Sequence, residues 1–190
     1  MTRSNIGSAA PPSALNANRQ SFSPLKRLTT EESSVDASDL KILDILQADG
    51  RITTSDLAER LRLSPTATGE RLRRLTRDGV ITGYAARLDP GRLGLGLLVF
   101  VEVSLDKTTS DVFDDFARAV RLTPEILECH MVAGGFDYLV KARVADMAAY
   151  RRLLGDVLLA LPGVKETRTY AVMDEVKSDG PLPLRGVTTG

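Results

Sequence analysis

Between Asp36 and Asp49 the apolar positions recur with the helical period: Leu40, Leu43 and Leu46 share a stripe that Ile42 and Ile45 widen, and Asp49-Gly50 ends the run. A second helix is predicted from Thr54-Ser55-Asp56, with Ser55 or Thr54 as its side-chain cap and Leu57, Ala58 and Leu61 turned inward. Leu63-Ser64-Pro65-Thr66 opens a third. Ser64 suits the N-cap, and Pro65 suits the first helical position, where its missing N–H had no partner to lose. Gly79 follows Asp78 as the stop. Val80 to Leu88 reads as a short hairpin around Gly83, and Asp89-Pro90-Gly91 as a turn.

Beyond that turn the pattern alternates between strand and helix. A strand over Leu97 to Leu105 precedes a helix over Ser110 to Arg121 that carries Val112, Phe113, Phe116, Ala117 and Val120 on one face. Strands Ile126 to Ala133 and Tyr138 to Val144 meet through Gly134-Gly135-Phe136-Asp137. A helix over Asp146 to Ala160 turns Met147, Tyr150, Leu154, Val157 and Leu158 inward, and after Leu161-Pro162-Gly163 a last strand spans Val164 to Met173. The order β-α-β-β-α-β is the ferredoxin-like plan, two helices on one face of a four-stranded antiparallel sheet. The other face is left open. It is expected to carry Leu98, Phe100, Met131 or their neighbours, and an apolar open face asks for a second copy of the chain.

The fold class is therefore α+β, a winged helix-turn-helix followed by a βαββαβ domain. The expected divisions are a flexible basic arm over 1–35, a winged helix-turn-helix domain over 36–89, a hinge over 90–96, a βαββαβ domain over 97–177 and a tail over 178–190. The arm is rich in Ser, Ala, Pro, Asn and Thr, too poor in branched apolar residues to offset its ordering entropy.

Composition narrows the chemistry. One His and one Cys leave no material for an internal disulfide, a His/Cys metal cluster or a Cys-His catalytic pair. Cys129 and His130 are neighbours on a strand and point to opposite faces, so no metal and no enzyme activity is expected. The most apolar stretch, Leu93 to Val101, contains two glycines and is about half the length of a membrane span, and no secretory signal is read. A cytoplasmic protein is expected; nucleoid association follows only if the chain binds DNA.

Net charge is zero, with 25 residues of each sign, yet the charge is segregated. Residues 36–89 hold nine of each sign, whereas Arg60 to Arg77 contains six arginines and the single acid Glu70. With Thr68, Leu72 and Leu75 facing the three-helix core, the 100° advance per residue places Thr66, Glu70, Arg73 and Arg77 on the opposite face, flanked by Arg71 and Arg74. A solvated helix face has the same composition. The preceding helix, the Ser-Pro entry and the wing favour DNA. The candidate contacts are Ser64, Thr66, Glu70, Arg71, Arg73, Arg74 and Arg77, the N-terminal side chains reading base edges and the arginines neutralising phosphates.

The winged segment resembles that of the leucine-responsive (Lrp/AsnC) family of transcriptional regulators, on its leucine-responsive side. The likeness continues through Leu98-Val99-Phe100-Val101-Glu102, Glu128-Cys129-His130, Gly135-Phe136-Asp137-Tyr138-Leu139, Ala149-Tyr150-Arg151, Leu161-Pro162-Gly163-Val164 and Thr167-Arg168-Thr169-Tyr170, and spans about residues 36–177. It implies a dimer joined through the βαββαβ domains, often built into octameric discs that wrap double-stranded DNA. It also implies a free amino acid, leucine or another, bound where dimers meet, with no other cofactor. Carried over by motif, Gly134, Gly135, Asp137 and Tyr138 fall in the effector region, with Met147, Leu159, Tyr170, Ala171 and Val172 as further candidates.

Each of these has a plainer reading. Gly134-Gly135 serves equally as a turn needing positive φ, Asp137 as a cap on its own turn, and Met147 and Leu159 as core. As an effector site, the glycines would expose N–H groups to a carboxylate and Asp137 would accept from an ammonium. The chain departs from the family pattern at Thr68-Gly69 in the third helix and at Gly135, where an acid is usual, so neither operator nor leucine specificity transfers. The expected function is a sequence-specific regulator whose assembly and DNA binding respond to an amino acid. The alternative is an architectural DNA-wrapping protein with no effector.

Overall fold

The computed structural model describes residues 35–187, so the arm expected over 1–35 lies, Val35 apart, outside the described residues. Three helices come first: α1 (Ala37–Ala48), α2 (Thr54–Leu61) and α3 (Pro65–Arg77). The start of α1 is set by a reciprocal cap: the Asp36 carboxylate accepts from the Ser38 and Asp39 amides at 2.8 Å each, and the Asp39 carboxylate accepts from the Asp36 amide at 3.0 Å. Ile42, Leu57 and Leu75 are buried together at the centre, with Leu46, Leu61, Leu72 and Ile81 packed around them.

Two local expectations change here. The cap of α2 is Thr53, whose hydroxyl accepts from the Asp56 amide at 3.1 Å; Thr54 is already helical. Val80 to Leu88 forms no hairpin, since the segment runs on with no strand pairing. Ile81 tucks back against the three-helix core, its amide donating to the Leu75 carbonyl at 3.0 Å. Tyr84 lays its ring over Gly50, where a Cβ would stand 3.2 Å from Tyr84 Cδ1. The wing is thus held by side-chain packing on the end of α1. The following turn is built as expected, with Asp89 Oδ1 accepting from the Gly91 and Arg92 amides at 2.9 and 3.2 Å.

The second half consists of β1 (Leu97–Leu105), α4 (Ser110–Arg121), β2 (Ile126–Met131), β3 (Tyr138–Val144), α5 (Met147–Arg152) and β4 (Val164–Ala171). The sheet order is β2-β3-β1-β4, antiparallel throughout, as the βαββαβ plan requires. Val99, Val101 and Val103 of β1 and Tyr138, Val140 and Ala142 of β3 point into one core with Phe116, Tyr150 and Leu158 from the helical layer. The Phe116 and Tyr138 rings lie 4.4 Å apart between centroids.

The helix expected over Asp146 to Ala160 is broken. Asp146 caps α5 by accepting from the Ala149 amide at 2.7 Å, but Leu153–Val157 widens into a π turn and Leu158–Ala160 tightens into a 3₁₀ turn. Tyr150 and Leu158 still reach the core and Leu154 and Val157 pack against it, whereas Met147, expected inward, is 60% exposed.

The open sheet face also differs from expectation. Leu98 and Phe100 lie on it, but Met131 stands opposite Tyr138 and shares that residue's helix-covered side. Glu102, Glu128, Lys141, Arg143, Glu166 and Arg168 make the face largely charged. Lys141 Nζ donates to Glu128 Oε1 at 2.8 Å, and Tyr170 Oη donates to Glu102 Oε1 at 2.9 Å. Past β4 the chain remains attached. The Val172 amide donates to the Leu98 carbonyl at 2.9 Å, Glu175 pairs with Arg143 at 2.6 Å, and Leu182 returns to α1. There the Gln47 side-chain amide accepts from the Leu182 N–H at 2.6 Å and donates to the Leu182 carbonyl at 3.2 Å.

Candidate functional site

The first candidate surface is α3. Arg62 ends α2 in the left-handed conformation, φ 54°, which turns the chain sharply enough for Leu63 to donate back to Ala58 at 2.9 Å. Two residues later Ser64 caps α3 by accepting from the Ala67 amide at 3.2 Å, with Pro65 in the first turn. This sets where α3 begins. Thr68 and Leu75 are buried beneath it, and Ser64, Thr66, Glu70, Arg73 and Arg77 are exposed on its outer side.

Arg71 and Arg74 do not share that outer face. Arg71 Nη1 donates to Asp36 Oδ2 at 2.6 Å and to Asp39 Oδ1 at 2.8 Å, and Arg74 pairs with the other oxygen of Asp39. Arg71 is held still more firmly protonated by its hydrogen bonds to Asp36 and Asp39. Partial burial works to raise the Asp36 pKa, but bonds from Arg71 and the Asp39 and Ser38 amides outweigh it and keep the carboxyl below its ordinary value. Asp39, fully buried, received no role from the sequence. Its place three residues after Asp36 was the only signal.

The second candidate region is the loop between β2 and β3. The Val132 amide donates to the Asp137 carbonyl at 3.0 Å and closes the turn, leaving Gly134 and Gly135 exposed at its tip. Neither glycine has positive φ, and a Cβ on either would meet nothing within 4 Å, so the turn itself does not demand glycine. Asp137 caps β1 instead of its own turn, one carboxylate oxygen accepting from the Leu105 amide at 2.7 Å. Tyr138 is buried against Phe116.

Of the nine residues carried over by motif, Gly135 lies in a small polar pocket of about 110 Å³ with Phe136, Glu102, Ser104, Glu166 and Arg168. Tyr138 borders a hollow of about 530 Å³ between α4 and β2, and Met147 a groove of about 510 Å³ along α5. Tyr170 reaches Glu102 from the open face, Leu159 and Ala171 are exposed, and Val172 is bonded to β1. Within one chain these residues do not converge. The acids and Arg168 around Gly135 were missed in the sequence, although period-two alternation on β1 and β4 places Glu102, Ser104, Glu166 and Arg168 on one face. Arg168 is held more firmly protonated by its hydrogen bond with Tyr170 and by the charges of Glu102 and Glu166.

This pocket is lined by a cation, two carboxylates and exposed backbone, a set suited to a small zwitterion. The α3 face offers hydroxyls, a carboxylate and arginines on a protruding helix, a set suited to a DNA groove.

The comparisons assign a domain to each half of the chain. Residues 35–82 match the family model described as winged helix-turn-helix DNA-binding, and residues 98–182 match that of the Lrp/AsnC ligand binding domain. The leucine-responsive regulatory protein of Escherichia coli K12 is 54% identical over 151 residues, covering 80% of this chain and 92% of that protein. A transcriptional regulator of Neisseria meningitidis, solved in complex with L-methionine, is 41% identical with a TM-score of 0.75, covering 79% of this chain and 97% of its own. An AsnC family transcriptional regulator of Agrobacterium tumefaciens is 32% identical with a TM-score of 0.74, covering 78% and 97%.

Proposed function

The chain belongs to the Lrp/AsnC family of transcriptional regulators, joining a DNA-binding helix-turn-helix to an amino-acid ligand-binding domain, and on that premise we propose that it reads specific DNA sites with α3 and changes assembly when a free amino acid binds near Gly135. The observation that carries the DNA half is the exposed row Thr66, Glu70, Arg73 and Arg77 on a helix whose entry is fixed by Ser64 and Pro65. Ser64 and Thr66 meet base edges. Arg73 and Arg77 neutralise phosphates. A dimer presents two such helices to successive major grooves, so the spacing between them decides which sites are bound.

For the ligand half, Arg168 takes the α-carboxylate and Glu102 or Glu166 takes the α-ammonium, with the Gly134-Gly135 tip shaping the remainder. The pocket is shallow in one chain, and a second copy over the charged sheet face completes it. Ligand bound at such a junction favours whichever assembly holds it more tightly, and DNA affinity follows by linkage.

The test is a thermal-shift panel of the twenty amino acids with assembly size measured in parallel. A true effector at 100 times its dissociation constant adds about 2.7 kcal/mol and moves the assembly distribution. Arg168→Ala should remove the shift for every amino acid that gives one, because the α-carboxylate it takes is common to all. A flat panel with DNA binding intact would leave an architectural DNA-wrapping protein in its place.

A further inference from the structure

α1 and α3 are joined by an ionic cluster built on the reciprocal cap of α1. Asp39 is the third residue of α1 and its side chain is completely buried. Every oxygen it owns is engaged: Oδ1 by Arg71 at 2.8 Å, and Oδ2 by Arg74 and by the Asp36 amide at 3.0 Å. Arg71 also reaches Asp36 at 2.6 Å. A carboxylate taken fully out of water is tolerated only when cations and N–H groups surround it. Two guanidiniums and two carboxylates cancel, so the cluster adds no net positive charge. Arg71 and Arg74 have side chains only 29% and 34% exposed, against 72% for Arg77.

Resting on the DNA reading of α3 above, we propose that Asp39 is a positioning residue for site recognition. It withholds Arg71 and Arg74 from phosphates and fixes the rotation of α3, so that Thr66, Glu70, Arg73 and Arg77 face the groove. Non-specific DNA affinity grows with each phosphate neutralised, whereas base reading does not. Withdrawing two of the helix's arginines therefore lowers binding to arbitrary DNA more than binding to the correct site. The buried acid sharpens discrimination from the side of the helix away from DNA.

The experiment uses the full chain and two duplexes, one of random sequence and one enriched by the unmodified protein from a random pool. Asp39→Asn keeps the shape and removes the charge. The slope of log K against log salt should steepen by about 0.9 to 1.8 for each DNA-contacting subunit, and the ratio of affinities between the two duplexes should fall. A folded Asp39→Asn protein whose slope holds or declines, at an unchanged ratio, overturns the proposal. Should that variant not fold, a triple change of Asp39→Asn with Arg71→Gln and Arg74→Gln, which leaves no buried charge unpaired at Asp39, decides: the slope should stay at its original value, and a drop of about 1.8 would show both arginines on phosphates and overturn it equally. Arg73→Gln with Arg77→Gln tests the underlying DNA reading separately, because an unaltered slope there removes α3 from the groove whatever Asp39 does.

Discussion

Asp137 is tied to Leu105: its carboxylate accepts the Leu105 N–H at 2.7 Å, while the neighbouring β1 carbonyl of Val103 accepts the Asp137 N–H at 3.0 Å. The half-buried acid thus fastens the β2–β3 loop to the end of β1. Hydrogen bonds to a charged group are worth about 1.5–3 kcal/mol. Asp137→Ala should lower the stability of the ligand-free protein by that amount in urea unfolding, and Asp137→Asn by less, since an amide oxygen still accepts. Unchanged stability in the alanine variant, with ligand response lost, would mean that Asp137 serves the ligand alone.

Two glycines should respond in opposite directions. Gly135 has no positive φ and free space around a Cβ, so Gly135→Ala should gain about 0.4–1 kcal/mol by restricting the unfolded chain. Gly163 has φ +72°, and a Cβ there would come within 2.5 Å of Val112 Cγ1. Gly163→Ala should cost about 1–3 kcal/mol, as strain and overpacking do. Melting of the two variants side by side checks the pair.

Beneath α3, the Thr68 hydroxyl is buried with no hydrogen-bond partner among the described residues. Thr68→Val keeps the shape and removes the unpaired group, and should stabilise the DNA-binding half by about 1 kcal/mol. Gly69→Ala should add about as much through helix propensity, because a Cβ there meets only ordinary contacts at 3.6 and 3.8 Å. Thr68 lies on the buried side of α3, so DNA affinity should hold in Thr68→Val, whereas Gly69 sits beside Arg73 Nη1 and is tested for stability alone. Lost affinity without lost stability in Thr68→Val would place Thr68 at the DNA.

Much of this was legible in the sequence because it is local. Ser64, Pro65 and Gly79 bracket α3 by chemistry confined to a few residues, and the βαββαβ order follows from periodicity. What escaped depends on distance. The Asp39 ties span 32 and 35 residues and exist only because α1 crosses α3. The hairpin reading of Val80 to Leu88 followed its β-prone residues and turn glycine, but Tyr84 lies over Gly50 and Ile81 packs on the three-helix core, contacts that local sequence does not show. Around Gly135, Glu102 and Arg168 became neighbours only once the register of β1 against β4 was set.

Alkaline conditions should weaken the ligand-binding half through Cys129. Burial against the core pushes its thiol from 9.0 up to about 11. An acid whose folded pKa is raised contributes fully below the unfolded value, and the contribution is lost as pH rises through the folded one. Stability should therefore decline between pH 9 and about 11, by up to about 2–3 kcal/mol. Tyr138, raised by burial to about 12, continues the decline at higher pH. Cys129→Ala should flatten the first part of that limb in urea unfolding measured against pH. Rapid alkylation of the folded protein at pH 7.5 would contradict the protected thiol.

The paired hydrogen bonds between Gln47 and Leu182 sew residues 47–182 into a closed ring with one glutamine as its seam. While the seam is closed, the three helices and the sheet are joined by two routes, the short connector after Pro90 and the irregular segment that returns after Ala171. Unpicking it leaves a single leash, and the local concentration of each half around the other falls although neither has changed its own fold.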